Sequence, residues 1–279
     1  RRSGVKRFSG SWAFLAGVPA MLVLAVAAPA HAQVQWEASE VGWCEEDWGG
    51  RDADRFCEVL TARIAATGRL EIDAGMNGGV EVDGWTDAGV QIRAKVWANA
   101  SSEERAQEIA RAVRVFAEGG RVGAEGPETG RRESWGVTYE ILTPRNTDLD
   151  IRTHNGGIGV TDVAGDIGFE ATNGGVHLTR VGGDVRGQTQ NGGLHVELDG
   201  DRWAGDGLDV ETTNGGIELV LPAGFSAELE TGTVNGGLDI GFPVTVQGRI
   251  GRRLTTTLGE GGPRIRAFTT NGGVSIVRR

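Results

Sequence analysis

Two cysteines, four histidines and one tyrosine stand in this 279-residue chain. After residue 32 there is one lysine, Lys95. With no third cysteine, and no histidine between Cys44 and Cys57, a thiolate-based zinc site has too few ligands. Past residue 32 the chain holds neither a GxSxG nucleophile elbow nor an HExxH pair, so two common hydrolase signatures are missing. Basic excess is missing too. The formal charge of −10 disfavours nucleic acid and anionic membrane surfaces as partners. Only one apolar run is long, Trp12 to Ala28; it is barely enough to cross a bilayer and is interrupted by Pro19.

That run follows Arg1, Arg2, Lys6 and Arg7 and leads into Pro29-Ala30-His31-Ala32-Gln33. A basic region, an apolar stretch and an Ala-x-Ala site predict a secretory signal over 1–32, cleaved after Ala32. A retained anchor is the competing reading, and Arg1-Arg2 hints at a twin-arginine signal that the next residues match poorly. The chain opens on arginine, so its start is expected upstream. Removing 1–32 takes away four basic groups and no acid, moving the charge from −10 to −14, and leaves no transmembrane span. In an exported chain, Cys44 and Cys57 are expected as a disulfide, which stabilises by about 3 kcal/mol through loop closure.

What the chain has in abundance is glycine, 47 residues, much of it in one tripeptide. Asn-Gly-Gly begins at Asn77, Asn155, Asn173, Asn191, Asn214, Asn235 and Asn271. Two of the steps are 18 residues, one is 36, and steps of 23 and 21 read as a repeat plus an insertion. Three positions after each Asn stand Val80, Ile158, Val176, Leu194, Ile217, Leu238 and Val274. Five positions after stand Val82, Val160, Leu178, Val196, Leu219, Ile240 and Ile276. Polar residues or glycine separate them, which is a strand with one buried face. A second apolar column (Leu149, Ile167, Val185, Leu208, Leu229 and Ile265) lies six residues before the last six Asn.

Apolar parity breaks across the tripeptide, so the tripeptide is a corner. Its Asn and Gly are expected to supply a left-handed bend, with stacked Asn amides bonding up the column. Ala164-Gly165-Asp166 and Gly182-Gly183-Asp184 suggest a second corner. The pattern predicts an all-β chain, a parallel β-solenoid of ~18-residue repeats. Serial β-hairpins are the alternative, since Asn-Gly is also a hairpin signal. Thr153, Thr189, Thr212, Thr233 and Thr269, with Ala171, share a column two before the Asn; its parity is inward, which argues against an ice-binding face.

Outside the repeats, residues 33–66 are acidic and carry Trp36, Trp43 and Trp48, and read as a stapled N-terminal extension. Ser101-Ser102-Glu103-Glu104 is a capping box that opens a helix to about Val113, suited to covering an open edge at the end of a solenoid. Arg114–Glu125 and Gly136–Leu142 read as strands. The solenoid is expected over 67–279, with its stretch from Asn235 to Asn271 taken as two turns in which Arg252–Thr257 follows no column.

Four sets of residues could carry chemistry. His177 and His195 occupy one outward position in adjacent repeats, with Glu218 next in the column, close enough to share a metal. Against a metal, so few ligands leave the surrounding shell undefined. Six after each Asn, where calcium-binding solenoids need Asp, most copies lack a carboxylate. Glu170, Asp209, Glu211, Glu218, Glu230 and Asp239 point outward, but no motif pairs them for polysaccharide hydrolysis. The step of 23 adds five residues in or near Asp199–Asp206. Trp203 and Arg202 there are candidate binding residues, unless the indole folds back on the solenoid wall.

A stapled acidic head, a short helix, serial Asn-Gly repeats and the ending Gly261-Gly262-Pro263-Arg264-Ile265-Arg266, then Thr269-Thr270-Asn271-Gly272-Gly273-Val274-Ser275-Ile276, together resemble the bacterial putative-adhesin domain family. The resemblance covers about residues 67–279. It implies a β-helical, envelope-associated domain without cofactor or catalytic residues. The expectation is an exported, non-enzymatic binding or structural module for an envelope or surface ligand, protein or glycan. A carbohydrate-active enzyme on the same scaffold is the alternative.

Overall fold

The alternating columns become two sheets. The computed structural model describes residues 34–39, 42–45, 54–241 and 251–279. The segment read as a signal, Trp48, and residues 242–250 lie outside them. β1 (Glu37–Ser39), α1 (Gly42–Glu45), β2 (Asp54–Ala65), β3 (Arg69–Asp73) and β4 (Val80–Trp85) come first. β5 (Gly89–Ala100), α2 (Glu103–Ala112), β6 (Arg114–Glu118), β7 (Arg121–Glu125) and β8 (Ser134–Pro144) follow. Paired strands then flank each tripeptide: β9 (Asp148–Asn155) with β10 (Ile158–Thr161), and β11 (Ile167–Asn173) with β12 (Val176–Thr179). Next are β13 (Asp184–Asn191) with β14 (Leu194–Glu197), and β15 (Gly207–Asn214) with β16 (Ile217–Leu221). The chain ends in β17 (Ala227–Asn235), β18 (Leu238–Ile240), β19 (Arg253–Leu258), β20 (Arg264–Asn271) and β21 (Val274–Arg278).

Sheet A runs β1-β2-β5-β8-β4-β10-β12-β14-β16-β21-β18, and sheet B runs β19-β17-β20-β15-β13-β11-β9-β3-β7-β6. Neighbouring repeats pair in parallel with like positions in register: Ile158 with Val176, Val176 with Leu194, Leu194 with Ile217. The chain is thus all-β, with its core between the two sheets. Ile158, Val176, Leu194, Ile217, Leu178 and Leu219 are buried there, as are Leu149, Ile167, Val185 and Leu208 from sheet B.

The stack does not follow chain order at its end. β20 lies between β15 and β17, and β21 between β16 and β18. The 36-residue step is therefore not two successive turns. β17 and β18 form the outermost level, β19 returns antiparallel along β17, and β20 with β21 fill the level between. Arg252–Thr257 matches no column because this strand runs the other way; Leu254, Thr256 and Leu258 are its buried side.

At the corner an unbroken amide ladder links all seven Asn in stacking order. Nδ2 of Asn155 donates to Oδ1 of Asn77, and so on through Asn173, Asn191, Asn214, Asn271 and Asn235 at 2.8–3.1 Å. Asn77 closes the column by donating to the Trp135 carbonyl at 3.1 Å. The expected left-handed bend is corrected. Among the described non-glycine residues only Arg132, Asp162 and Arg180 have positive φ, and in the tripeptides only Gly272 does. The first glycine is required by close approach instead. A Cβ on Gly174 would sit 1.9 Å from the Gly156 carbonyl oxygen, and one on Gly192 2.0 Å from that of Gly174. The second glycine is less confined: a Cβ on Gly175 meets nothing nearer than 3.6 Å.

The inward threonines serve this corner. Thr153, Thr189, Thr212, Thr269 and Thr233 are buried. They donate to the carbonyls of Gly78, Gly174, Gly192, Gly215 and Gly272 at 2.6–2.8 Å, each the first glycine of the adjacent level. At the opposite corner Asp148 and Asp166 accept from the backbone N–H of Asp166 and Asp184 at 3.0 and 3.1 Å.

The N-terminal part extends the same sheets. β2 pairs antiparallel with β5 along its length, and β5 with β8. Cys44 and Cys57 form a disulfide, Cα–Cα 5.9 Å, which ties α1 to β2. α2 begins one residue later than the capping box implies: Ser102 is the cap and accepts from Arg105 N at 3.2 Å. Its apolar side (Ala106, Ile109 and Ala110) is buried, and the helix packs on β2 and β5, two strands inside sheet A.

Candidate functional site

Parallel register turns one outward position into a straight row across sheet A. The residue between the two buried columns of each repeat lands beside its equivalent on the next strand. Starting at β5, the row reads Arg93, Glu140, Glu81, Gly159, His177, His195, Glu218, Ser275, Asp239. The second glycines Gly175, Gly193, Gly216, Gly273 and Gly237 run alongside from His177 onward. Because they carry no side chain, they leave an open trough of about 650 Å³ whose polar wall is His177, His195, Glu218, Ser275 and Asp239.

Within the trough the imidazoles of His177 and His195 stand with ring centres 5.7 Å apart and planes inclined by 34°. Nδ1 of His195 is 2.8 Å from Oε2 of Glu218. Both side chains stay reachable, 32% and 50% exposed. Among the described residues no group of three or more His, Cys, Asp and Glu is placed to hold a metal.

The far end of the row is crowded with acids. Glu81 lies across Gly159, filling the space where a side chain would stand. Burial pushes its carboxyl above the ordinary value, and the neighbouring Asp83 and Glu140 push it the same way. Asp83 is raised chiefly by burial and then by Asp162, against a lowering by Arg180. Arg93 pairs with Glu140, and Arg180 with Asp162 at 2.6 Å.

The outward carboxylates of sheet B have different company. Arg266 holds Asp209 and Glu211 together and lies 4.6 Å from the centre of the Phe268 ring. Arg264 reaches Glu230 at 3.5 Å, and Arg152 joins Asp150 and Glu71 at 3.1 and 3.4 Å. Of the six outward acids read from the sequence, Glu218 and Asp239 line the trough two strands apart, Asp209, Glu211 and Glu230 belong to ion pairs, and Glu170 is exposed on β11.

Trp203 and Arg202 do not line the trough. The indole is corrected as a binding candidate: only 4% exposed, it packs in the core and donates Nε1–H to the Gly183 carbonyl at 3.0 Å. The insertion is tied down behind it, with Ser226 N–H donating to the Asp201 carbonyl at 2.8 Å. Arg202 remains at the surface, 3.8 Å from both Asp201 and Glu260. Sequence reasoning found the two histidines and Glu218 but not that Ser275 precedes Asp239 in the row. Both were in the aligned column; only the exchanged strand order hid their sequence along the wall.

Residues 145–277 match the family described as Toastrack DUF4097. No curated protein matches the chain. A solved structure described as a putative cell adhesion protein from Clostridium sporogenes is 10% identical, with TM-score 0.42, over 81% of this chain and 100% of its own. Another, a putative adhesin from Bacteroides fragilis, is 12% identical, with TM-score 0.36, over 79% of this chain and 97% of its own. Likenesses this distant carry no functional information.

Proposed function

We propose, from the premise that residues 145–277 belong to the Toastrack DUF4097 family, that this chain is an exported, non-enzymatic binding module of the bacterial cell envelope. In this reading 1–32 is a cleaved signal and 33–66 a disulfide-stapled extension. Residues 67–279 are then a parallel β-solenoid of ~18-residue repeats. The disulfide agrees with an oxidising compartment. Among the described residues no helix is long and apolar enough to cross a membrane.

The observation that carries the proposal is the trough. Its walls are strands whose backbone bonds are satisfied by the stack, so the side chains are held at one-strand intervals before any ligand arrives, and little ordering cost remains. The bare glycine floor lets a ligand reach the backbone. Glu218 is engaged in holding His195, a positioning task. The enzymatic alternative has one point of support: Glu218 and Asp239 lie two strands apart, about 9.6 Å between backbones, at the upper limit for an inverting carboxylate pair.

Fractionation of expressing cells, followed by capture from envelope extract, tests the proposal. The chain is expected outside the cytoplasm, starting at Gln33, and its captured ligand is lost with Ser275→Trp, which fills the trough. Cytoplasmic retention with 1–32 intact, or capture indifferent to Ser275→Trp, contradicts it. Release of reducing ends from envelope polysaccharide, abolished by Glu218→Gln, establishes the enzymatic reading in its place.

A further inference from the structure

The trough contains one arrangement that a glycine-floored groove for a partner does not require. His177 and His195 are the same residue type at the same register position of adjacent parallel strands. Two imidazoles sharing one ion at metal–nitrogen distances of about 2.0–2.1 Å have ring centres on the order of 5–6 Å apart. These rings already stand 5.7 Å apart. The ring of His177 also turns back toward the glycine floor, its Nε2 3.7 Å from the point where a Gly175 Cβ would be. Any larger residue at 175 would narrow the space the ring uses.

The surrounding shell decides whether such a pair can hold an ion, and the structure supplies it for His195. Glu218 accepts from Nδ1–H of His195 at 2.8 Å. That contact fixes the tautomer, leaving the lone pair on Nε2. Carboxylate support of this kind is the usual partner of a metal-binding histidine. The half-exposed Glu218 can hold the ring without being buried itself.

We propose that His177 and His195 form a two-imidazole site for a borderline divalent cation of the Zn²⁺, Cu²⁺ or Ni²⁺ type, with Glu218 as the positioning residue for His195. Imidazole nitrogen selects these ions over Mg²⁺ and Ca²⁺, which prefer oxygen cages. Two protein ligands leave coordination positions open toward the trough, as in metal sites that accept an outside donor. A closed structural site would need two more ligands, and none of the described residues provides them. The site stands independently of the export and envelope reading, and its failure leaves that reading untouched.

Calorimetric titration of the full chain, purified without a histidine tag, tests the site with Zn²⁺ and Cu²⁺, and with Ca²⁺ as the oxygen-preferring control. One ion per chain is expected, without comparable Ca²⁺ binding. His177→Ala and His195→Ala should each weaken binding by at least about tenfold, and Glu218→Gln by about 10–100-fold, the usual effect of removing a supporting carboxylate. His154→Ala, the control at a histidine outside the trough, should bind as the wild type does. Melting curves confirm that the variants fold; His177→Gln and His195→Gln replace the alanines if they do not. Absence of Zn²⁺ and Cu²⁺ binding, equal Ca²⁺ affinity, or undiminished affinity in the double histidine variant overturns the proposal.

Discussion

The outer faces of the two sheets are built from the same repeats yet use their polar residues in opposite ways. On sheet B nearly every outward acid near the middle of the stack is answered by an arginine, and Arg266 answers two. On sheet A the row beyond Arg93 carries no guanidinium at all, only Glu140, Glu81, His177, His195, Glu218, Ser275 and Asp239 with a bare glycine strip beside it. A face whose charges are mutually satisfied presents little for a partner to replace. A face with imidazoles and carboxylates left accessible over an open floor does. Under the proposed reading, sheet B is structural and sheet A carries recognition.

The insertion at 199–206 offers a rival recognition region, and the largest expected effect disposes of it. Trp203→Ala should cost about 3–5 kcal/mol, the usual range for a buried Trp or Phe truncated to Ala. Capture through the trough should persist wherever the protein is folded. Retained stability with lost capture would move the binding region to the insertion.

Next in size are the two glycines of one corner. Gly174→Ala places a methyl 1.9 Å from a neighbouring backbone oxygen and should cost about 1–3 kcal/mol or more. Gly175→Ala makes only ordinary van der Waals contacts, at 3.6 Å and beyond, so it should leave the melting temperature nearly unchanged and narrow the trough. Equal losses in thermal melts would mean that the trough floor is as structural as the stack.

Arg266→Ala tests the other face. Losing two carboxylate partners and the Phe268 contact should cost about 1–2 kcal/mol in denaturant titration. Glu218→Gln on sheet A should stay within about 0.5 kcal/mol. The reverse order would dissolve the contrast between the faces.

The smallest effect comes from Glu81, where acids crowd without full compensation. Its folded pKa is raised, so its favourable contribution is present below the ordinary value of 4.5 and lost as pH rises through the folded value. Glu81→Gln should therefore melt slightly higher than the wild type near neutral pH, and that advantage should vanish in acid. A lower melting temperature at neutral pH would show that the charge is better compensated than its neighbours imply.

Much of this was legible because stacking demands like residues at every level. The valine and isoleucine columns, the Asn ladder and the inward threonines each follow from one repeating contact, and a periodic sequence displays it directly. Strand order is different: Asn271 and Asn235 both satisfy the same column, so nothing local says that β20 enters before β17. The reason for the first glycine was equally hidden, since a close carbonyl from another level leaves the same residue behind as a left-handed turn. The histidine pair was visible in the alignment. The bond from His195 to Glu218 was not, because it depends on side-chain rotamers. Trp203 could be read either way until its indole was placed against Gly183.

The central claim is that sheet A separates into an inward side that holds the stack and an outward row free for recognition. Adjacent residues on β12 test it with one substitution each. Thermal melts of Val176→Asp and His177→Asp compare a fully buried position with its outward neighbour. Val176→Asp should lose several kcal/mol or fail to fold, about the cost of burying an uncompensated carboxylate, while His177→Asp should melt close to the wild type. Equal losses from the two would contradict the account.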